Sequence, residues 1–212
     1  MLTPRLFAPL AAAATALALS ACATSPYTGP VEVTRFVADQ PAGLGQGTIA
    51  LTYPDEVSNE AARTAFASSV SAELTRLGYT VVGNPAGAAQ TAAVRTSRTP
   101  ITSTVDDRRG GPVNVGVGGQ TGGFGSGVGM GVGINLGGGR EGPAAVTLLE
   151  VRIARADGTT LWEGRSQIAT GVKSPYSQVS TSAGALAAAL FRDFPGGNGE
   201  TVTIDVKKLQ GN

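Results

Sequence analysis

The chain has 212 residues, 16 Lys plus Arg against 15 Asp plus Glu, no histidine and a single cysteine. Charge this evenly balanced gives no electrostatic case for nucleic-acid binding. The missing histidine excludes the usual Ser-His-Asp and Cys-His arrangements and most zinc sites, and a lone cysteine excludes a disulfide within the chain.

At the N-terminus, Arg5 precedes a Leu/Ala-rich run from Leu6 to Leu19, followed by Ser20 and Ala21. The run is shorter than the ~18 to 20 residues of a spanning helix, so this layout predicts a secretory signal, residues 1–21, and not a permanent anchor. Leu19-Ser20-Ala21-Cys22 resembles the bacterial lipobox. The resemblance implies cleavage before Cys22, a diacylglyceryl thioether on its sulfur and an acyl chain, such as palmitate, on its new amino group. Several chains hold durably where one holds weakly, because each buried methylene adds ~0.8 kcal/mol. Ala23 stands where an Asp would resemble an inner-membrane retention signal. That implies the outer membrane, on its periplasmic side, with the bilayer as a partner through the lipid anchor. Losing Arg5 with the signal leaves acidic and basic side chains equal in number.

Residues 22–30, with Pro26, Gly29 and Pro30, read as a tether, and 31–212 as a single domain. "VEVTRFV" (Val31 to Val37) alternates apolar and polar residues as a half-buried strand does, and "TIALTY" (Thr48 to Tyr53) predicts a second strand, stopped by Pro54 and Asp55. From about Ser58, Ala62, Phe66, Val70, Leu74 and Leu77 recur at helical spacing. Asp55, Ser58 or Asn59 supplies the N-cap and Gly78 the C′ residue. "YTVV" and "AAVRTSRTPITSTV" then read as extended. Adjacent carboxylates at Asp106 and Asp107 point oppositely in an extended chain and are neutralised by Arg108 and Arg109, which favours a solvated turn over a metal site.

Gly110 to Gly139 carries no charge and lies within a glycine-rich insertion spanning 110–143. Val113, Val115 and Val117 alternate, "GGQTGG" offers a turn, and Phe124, Val128, Met130, Val132, Ile134 and Leu136 share one parity while glycine dominates the other. Period two with one bare face predicts a β-hairpin. Ordering the glycines from Gly123 to Gly133 costs ~3 to 6 kcal/mol, and burying each apolar side chain returns ~1.5 to 3 kcal/mol, so the hairpin orders only where something covers it. The cover is its own domain, lipid, or another envelope protein or second copy; the last case makes Phe124, Val128, Met130, Val132 and Ile134 a candidate interaction surface. The alternative is a flexible low-complexity loop. "GGGREG" (Gly137 to Gly142) matches a dinucleotide-binding spacing, but a strand, not a helix, is predicted to follow it.

Beyond it, "AAVTLLEVRIARADGTTLWEGRSQIAT" contains two alternating runs joined around Asp157-Gly158, a hairpin signal. Val179, Ala183, Leu186, Ala187, Leu190, Phe191 and Phe194 form a helical stripe ended by Pro195-Gly196, and "TVTIDVK" reads as a last strand. Trp162 is expected in a half-buried core or edge position rather than stacked on a ligand. Each half thus runs strand, strand, helix, strand, which predicts an α+β two-layer sandwich: a largely antiparallel sheet with two amphipathic helices on one face.

"GTIALTYPDEVSNEAARTAFASSVSAELTRLGYTVV", "TTLWEGRSQIAT" and "LAAALFRDFP" together resemble the bacterial lipoproteins of domain-of-unknown-function family 4136. One departure is Gly87-Ala88-Ala89-Gln90, where the family often has an acidic, apolar strand start. The resemblance implies a periplasmic lipoprotein without supplying an activity. No catalytic residue, metal ligand or cofactor is expected. The expected role is a tethered binding or assembly module, with a small-ligand carrier or non-classical enzyme as the alternative.

Overall fold

A computed structural model describes residues 26–54, 59–101, 113–116, 133–136 and 142–209. The clearest sequence signal becomes its centre. Strands β7 (Ala145–Arg155) and β8 (Thr160–Thr170) pair antiparallel around the Asp157-Gly158 turn, where Asp157 Oδ1 accepts a 2.8 Å bond from the Thr159 N–H. Alternation sorts their side chains: Leu149, Val151, Ile153, Trp162 and Ile168 are buried, while Glu150, Arg152, Glu163 and Arg165 are only partly so.

Around this pair the other strands are β1 (Thr28–Val37), β2 (Thr48–Thr52), β3 (Thr80–Val82), β4 (Gln90–Pro100) and β9 (Thr201–Ile204). They form a seven-stranded sheet in the order β3-β2-β4-β7-β8-β1-β9, whose outermost strands have only three and four residues. β5 (Val113–Gly116) and β6 (Gly133–Leu136) form a separate antiparallel pair. β1 begins three residues earlier than the alternation predicts, with a register irregularity between Thr28 and Val31. Pro30, which has no N–H to give a ladder, falls in that irregularity.

Helix α1 (Glu60–Arg76) starts at Asn59, whose side chain accepts the Ala62 N–H at 3.1 Å, and buries Phe66, Val70 and Leu74 as predicted. After it, Gly78 turns the chain at φ +102°, where a Cβ would lie 2.7 Å from the Gly45 carbonyl oxygen. Two constraints therefore demand glycine there. Helix α2 (Val179–Leu190) departs from the expected single stripe. It buries Ser182, Ala183, Ala185, Leu186, Ala187, Ala189 and Leu190, because it packs on β1, β7 and β8 and also against α1. Its small side chains permit close approach; the Ser166 hydroxyl donates to the Leu186 carbonyl at 3.0 Å. The helix ends at Leu190, and Phe194, expected on the helical stripe, instead joins the core from the following turn, where Asp193 takes φ 53°.

The sheet is mixed. β2 runs parallel to both β3 and β4, while β4–β7, β7–β8, β8–β1 and β1–β9 are antiparallel. The similar strand order of the two halves does not carry over into similar pairing: β2 and β3 are neighbours, whereas β1 separates β8 from β9. A helix between two strands lets them run parallel, as α1 does for β2 and β3. Gln90, at the atypical strand start, is buried: its amide donates to the Gly43 carbonyl at 2.7 Å and its Oε1 accepts from Tyr79 at 3.2 Å. Those bonds stand where an apolar side chain would otherwise fill the site.

Candidate functional site

Cys22 and its flank Leu19, Ser20 and Ala21 lie outside the described residues, as do Phe124, Val128, Met130 and Val132. Ile134 lies in β6, opposite Val115. The two glycine-rich segments do pair, with Val113 opposite Leu136 and Gly116 opposite Gly133. That register differs from the one a turn at 118–123 would set, since such a turn would oppose Val117 to Phe124. Where glycine occupies every second position, neither face fixes the pairing, so parity alone does not determine register.

β4 and β7, which precede and follow the glycine-rich segments in sequence, pair antiparallel out to Pro100 opposite Ala145. Beyond that rung, the Ile101 N–H donates to the Ala144 carbonyl and the Ala144 N–H to the Thr170 carbonyl, both at 2.8 Å, and the Gly171 N–H to Tyr27 at 2.9 Å. The row ends on Tyr27, the last residue before β1. Tyr27 and Ile101 pack on Val146 and Ala169, an apolar cluster separate from the main core. Burial, then the nearby Glu32 carboxylate, pushes the Tyr27 hydroxyl above its ordinary pKa. The Thr28 and Ser174 hydroxyls, 2.7 Å apart, tie the start of β1 to the loop after β8. Tyr27, Ile101 and Ala144 thus share one end of the sheet.

On the sheet side away from Leu149, Val151 and Ile153, alternation presents a charged lattice. Arg165 lies 3.4 Å from Glu150, Arg152 4.0 Å from Glu163, and the Gln167 amide donates to Glu32 at 2.8 Å. Arg95 stands opposite Glu150 in register. Burial raises the Glu163 pKa, Arg152 opposes the shift and Glu150 adds to it. With its folded pKa above the ordinary value of 4.5, Glu163 costs stability as pH rises through that value, because the unfolded chain releases the proton first. Glu163→Gln is therefore expected to gain thermal stability relative to the wild type as pH rises above about 4.5, a gain that grows toward neutral pH and then persists. Melting curves across that range check the sign. The lattice is one of paired ions; among the described residues, no group of three or more His, Cys, Asp or Glu could hold a metal.

Trp162 is fully buried on an interior strand, a correction to the half-buried or edge position expected. Its ring stacks on Phe191 with centroids 5.4 Å apart and planes at 19°, Phe194 packs tilted against it with centroids 5.3 Å apart, and Nε1 donates to the Pro195 carbonyl at 2.9 Å. A ring so enclosed serves packing. Sequence reasoning passed over Arg35, which is 5% exposed beside this cluster. It donates from Nε to Leu190 and from Nη2 to Ala189, both at 2.8 Å, satisfying carbonyls at the C-terminus of α2. Burial pulls its pKa down and Asp193 partly restores it. The parity of Val31 and Val33 pointed to an inward position for Arg35.

No family model matches the chain and no curated protein matches it. Among solved structures, a PDZ domain protein from Parabacteroides distasonis is similar with a TM-score of 0.51 and 15% sequence identity, over 90% of this chain. The chain spans 42% of the length of that protein, and the likeness is one of fold. Two PelC dodecamers from Paraburkholderia phytofirmans align over 75% of this chain, covering 92% and 93% of theirs, with TM-scores of 0.38 and 0.39 at 13% and 12% identity.

Proposed function

We propose that this chain is a lipid-anchored lipoprotein of the bacterial envelope. It is held by Cys22 on the periplasmic side of the outer membrane, and serves as a binding or assembly module related to domain-of-unknown-function family 4136. In the same reading the domain is a two-layer sandwich with α1 and α2 over one sheet face, and residues 110–143 form an inserted hairpin. The observation that carries it is the hydrogen-bonded row from Tyr27 through Gly171, Thr170 and Ala144 to Ile101. It brings Tyr27, five residues after Cys22, beside Ile101 and Ala144, which precede and follow the uncharged Gly110–Gly139 stretch in sequence, and so supports an anchor and an interaction surface that act at the same end.

Cys22→Ser is expected to move the protein from the membrane to the soluble fraction, and mass spectrometry of the wild-type mature N-terminus to find acylated Cys22 as first residue. An unmodified Cys22 thiol in membrane-free mature protein would end the reading. Crosslinkers placed at Phe124 or Met130 in living cells are expected to recover another envelope protein or a second copy. Silence at both positions removes the assembly role and leaves the anchor.

A further inference from the structure

The chain has three lysines, Lys173, Lys207 and Lys208, and the fold brings all three to the end of the sheet where the tether enters. Thr170 of β8 pairs with Thr28 at the start of β1, and Lys173 follows in the next loop. Ile204, the last residue of β9, pairs with Val31, and Lys207 and Lys208 follow in the turn Val206–Leu209. All three are exposed. Arg98, near the end of β4, adds a fourth cation beside the loop after β8, donating to the Ser177 carbonyl at 2.7 Å. Asp205 is the acid nearest Lys207 and Lys208 in sequence, and its Oδ1 accepts the Lys207 N–H at 2.9 Å. The charges flanking the insertion, Asp106, Asp107, Arg108 and Arg109 before it and Arg140 and Glu141 after, cancel. Glu60 at the start of α1 pairs with Arg63 at 3.6 Å; Asp55 and Glu56 precede it in sequence, after β2, which β4, β7 and β8 separate from β1. At the tip of the loop after β8, Val172 is 80% exposed, the most exposed large apolar side chain among the described residues.

Four acids stand at the opposite end: Asp39 follows β1, Asp157 sits in the β7–β8 turn, Asp193 follows α2 and Glu200 precedes β9, with Arg35, Arg155 and Arg192 as the neighbouring cations. At the lysine end the carboxylate of Glu32, near Tyr27, accepts from the Gln167 amide. All three lysines thus stand where β1 begins and none where β1 ends. Cys22 stands six residues before Thr28, a reach of about 20 Å when fully extended.

We propose that this basic end seats directly on an anionic phospholipid surface, with Lys173, Lys207 and Lys208 at the headgroups and Val172 dipping among them. The seat rests on the proposed lipid anchor, which brings the surface within reach. It fixes which way the domain faces: tether down, the β7–β8 turn with Asp157 toward the periplasm. Each lysine near an anionic surface favours the seated state about fivefold, and salt screens that gain.

The test uses the full-length lipidated protein in phosphatidylcholine vesicles with or without phosphatidylglycerol. Because acylation would occupy Cys22, Val172→Cys or Asp157→Cys supplies one thiol for a fluorophore, and a nitroxide-headgroup lipid reports proximity. The expected result is strong quenching at position 172 that depends on phosphatidylglycerol and weakens with salt, little quenching at 157, and about a fivefold drop in the seated-to-unseated ratio for each Lys→Gln change. Anchored protein whose two labels behave alike, or ignore phosphatidylglycerol, overturns the seat. Protein that leaves the vesicles in high salt defeats the anchor instead; position 172 is then read with phosphatidylglycerol vesicles at low salt, where quenching supports the seat and its absence overturns it. A photocrosslinker at 172 that captures protein rather than phospholipid in cells also overturns it.

Discussion

Trp162→Ala is expected to destabilise the domain by about 3 to 5 kcal/mol, enough to unfold much of the population of a marginally stable protein. Three losses coincide: a fully buried side chain, the stack on Phe191, and the bond from Nε1 to the Pro195 carbonyl. The last leaves a carbonyl to find a new partner in the turn that carries Phe194. Trp162→Phe keeps most of the ring contact and is expected to cost less than half as much. Trp162 is the sole tryptophan, so unfolding must be followed by far-ultraviolet circular dichroism during urea titration. A cost below about 1 kcal/mol for the alanine variant would mean that the cluster does not stabilise the fold as described.

Gly164→Ala is expected to cost about 2 to 3 kcal/mol, although alanine ordinarily favours a strand over glycine by ~0.5 to 1 kcal/mol. The sign reverses because Gly164 lies under the indole: an added Cβ would sit 2.7 Å from Trp162 Cζ2 and 2.8 Å from Leu190 Cδ1. Neither neighbour can retreat, since Phe191 backs the indole and Leu190 sits in the wall of α2. In a Trp162→Leu background the same change should cost at least about 1 kcal/mol less, a coupling that a double-mutant cycle measures. Additivity within about 0.3 kcal/mol would show that the crowding lies elsewhere.

These two residues also show where local pattern stops being informative. Alternation placed Val31, Val33, Leu149, Val151 and Ile153 on buried positions, and 3.6-residue spacing located Phe66, Val70 and Leu74 on α1, because local period and burial agree there. α2 gave its position away but not its depth: a helix touching both a sheet and another helix loses its polar face, and its run of alanines was the available sign. The parallel pairing of β2 with β3 and β4 depends on which strands become neighbours, a tertiary property that no period records. Arg35 was within reach, since an arginine at an apolar parity needs buried acceptors, but those acceptors belong to residues 154 and 155 positions away. Of the candidate site, the tether and the insertion stood out by composition. The meeting of Tyr27, Ile101 and Ala144 at one end of the sheet, and the gathering of the lysines there, follow only from strand order.

The outermost strands carry a consequence of their own. A sheet that does not close on itself leaves a rim at each side where a foreign backbone can add on, and long flat rims seed aggregates. Here the rims are stubs of three and four residues, against ten and eleven in β1, β7 and β8. Growth by strand addition is blunted by brevity, with too few rungs for an incoming chain to hold its place. Such molecules can stand shoulder to shoulder at high density without zipping into fibres.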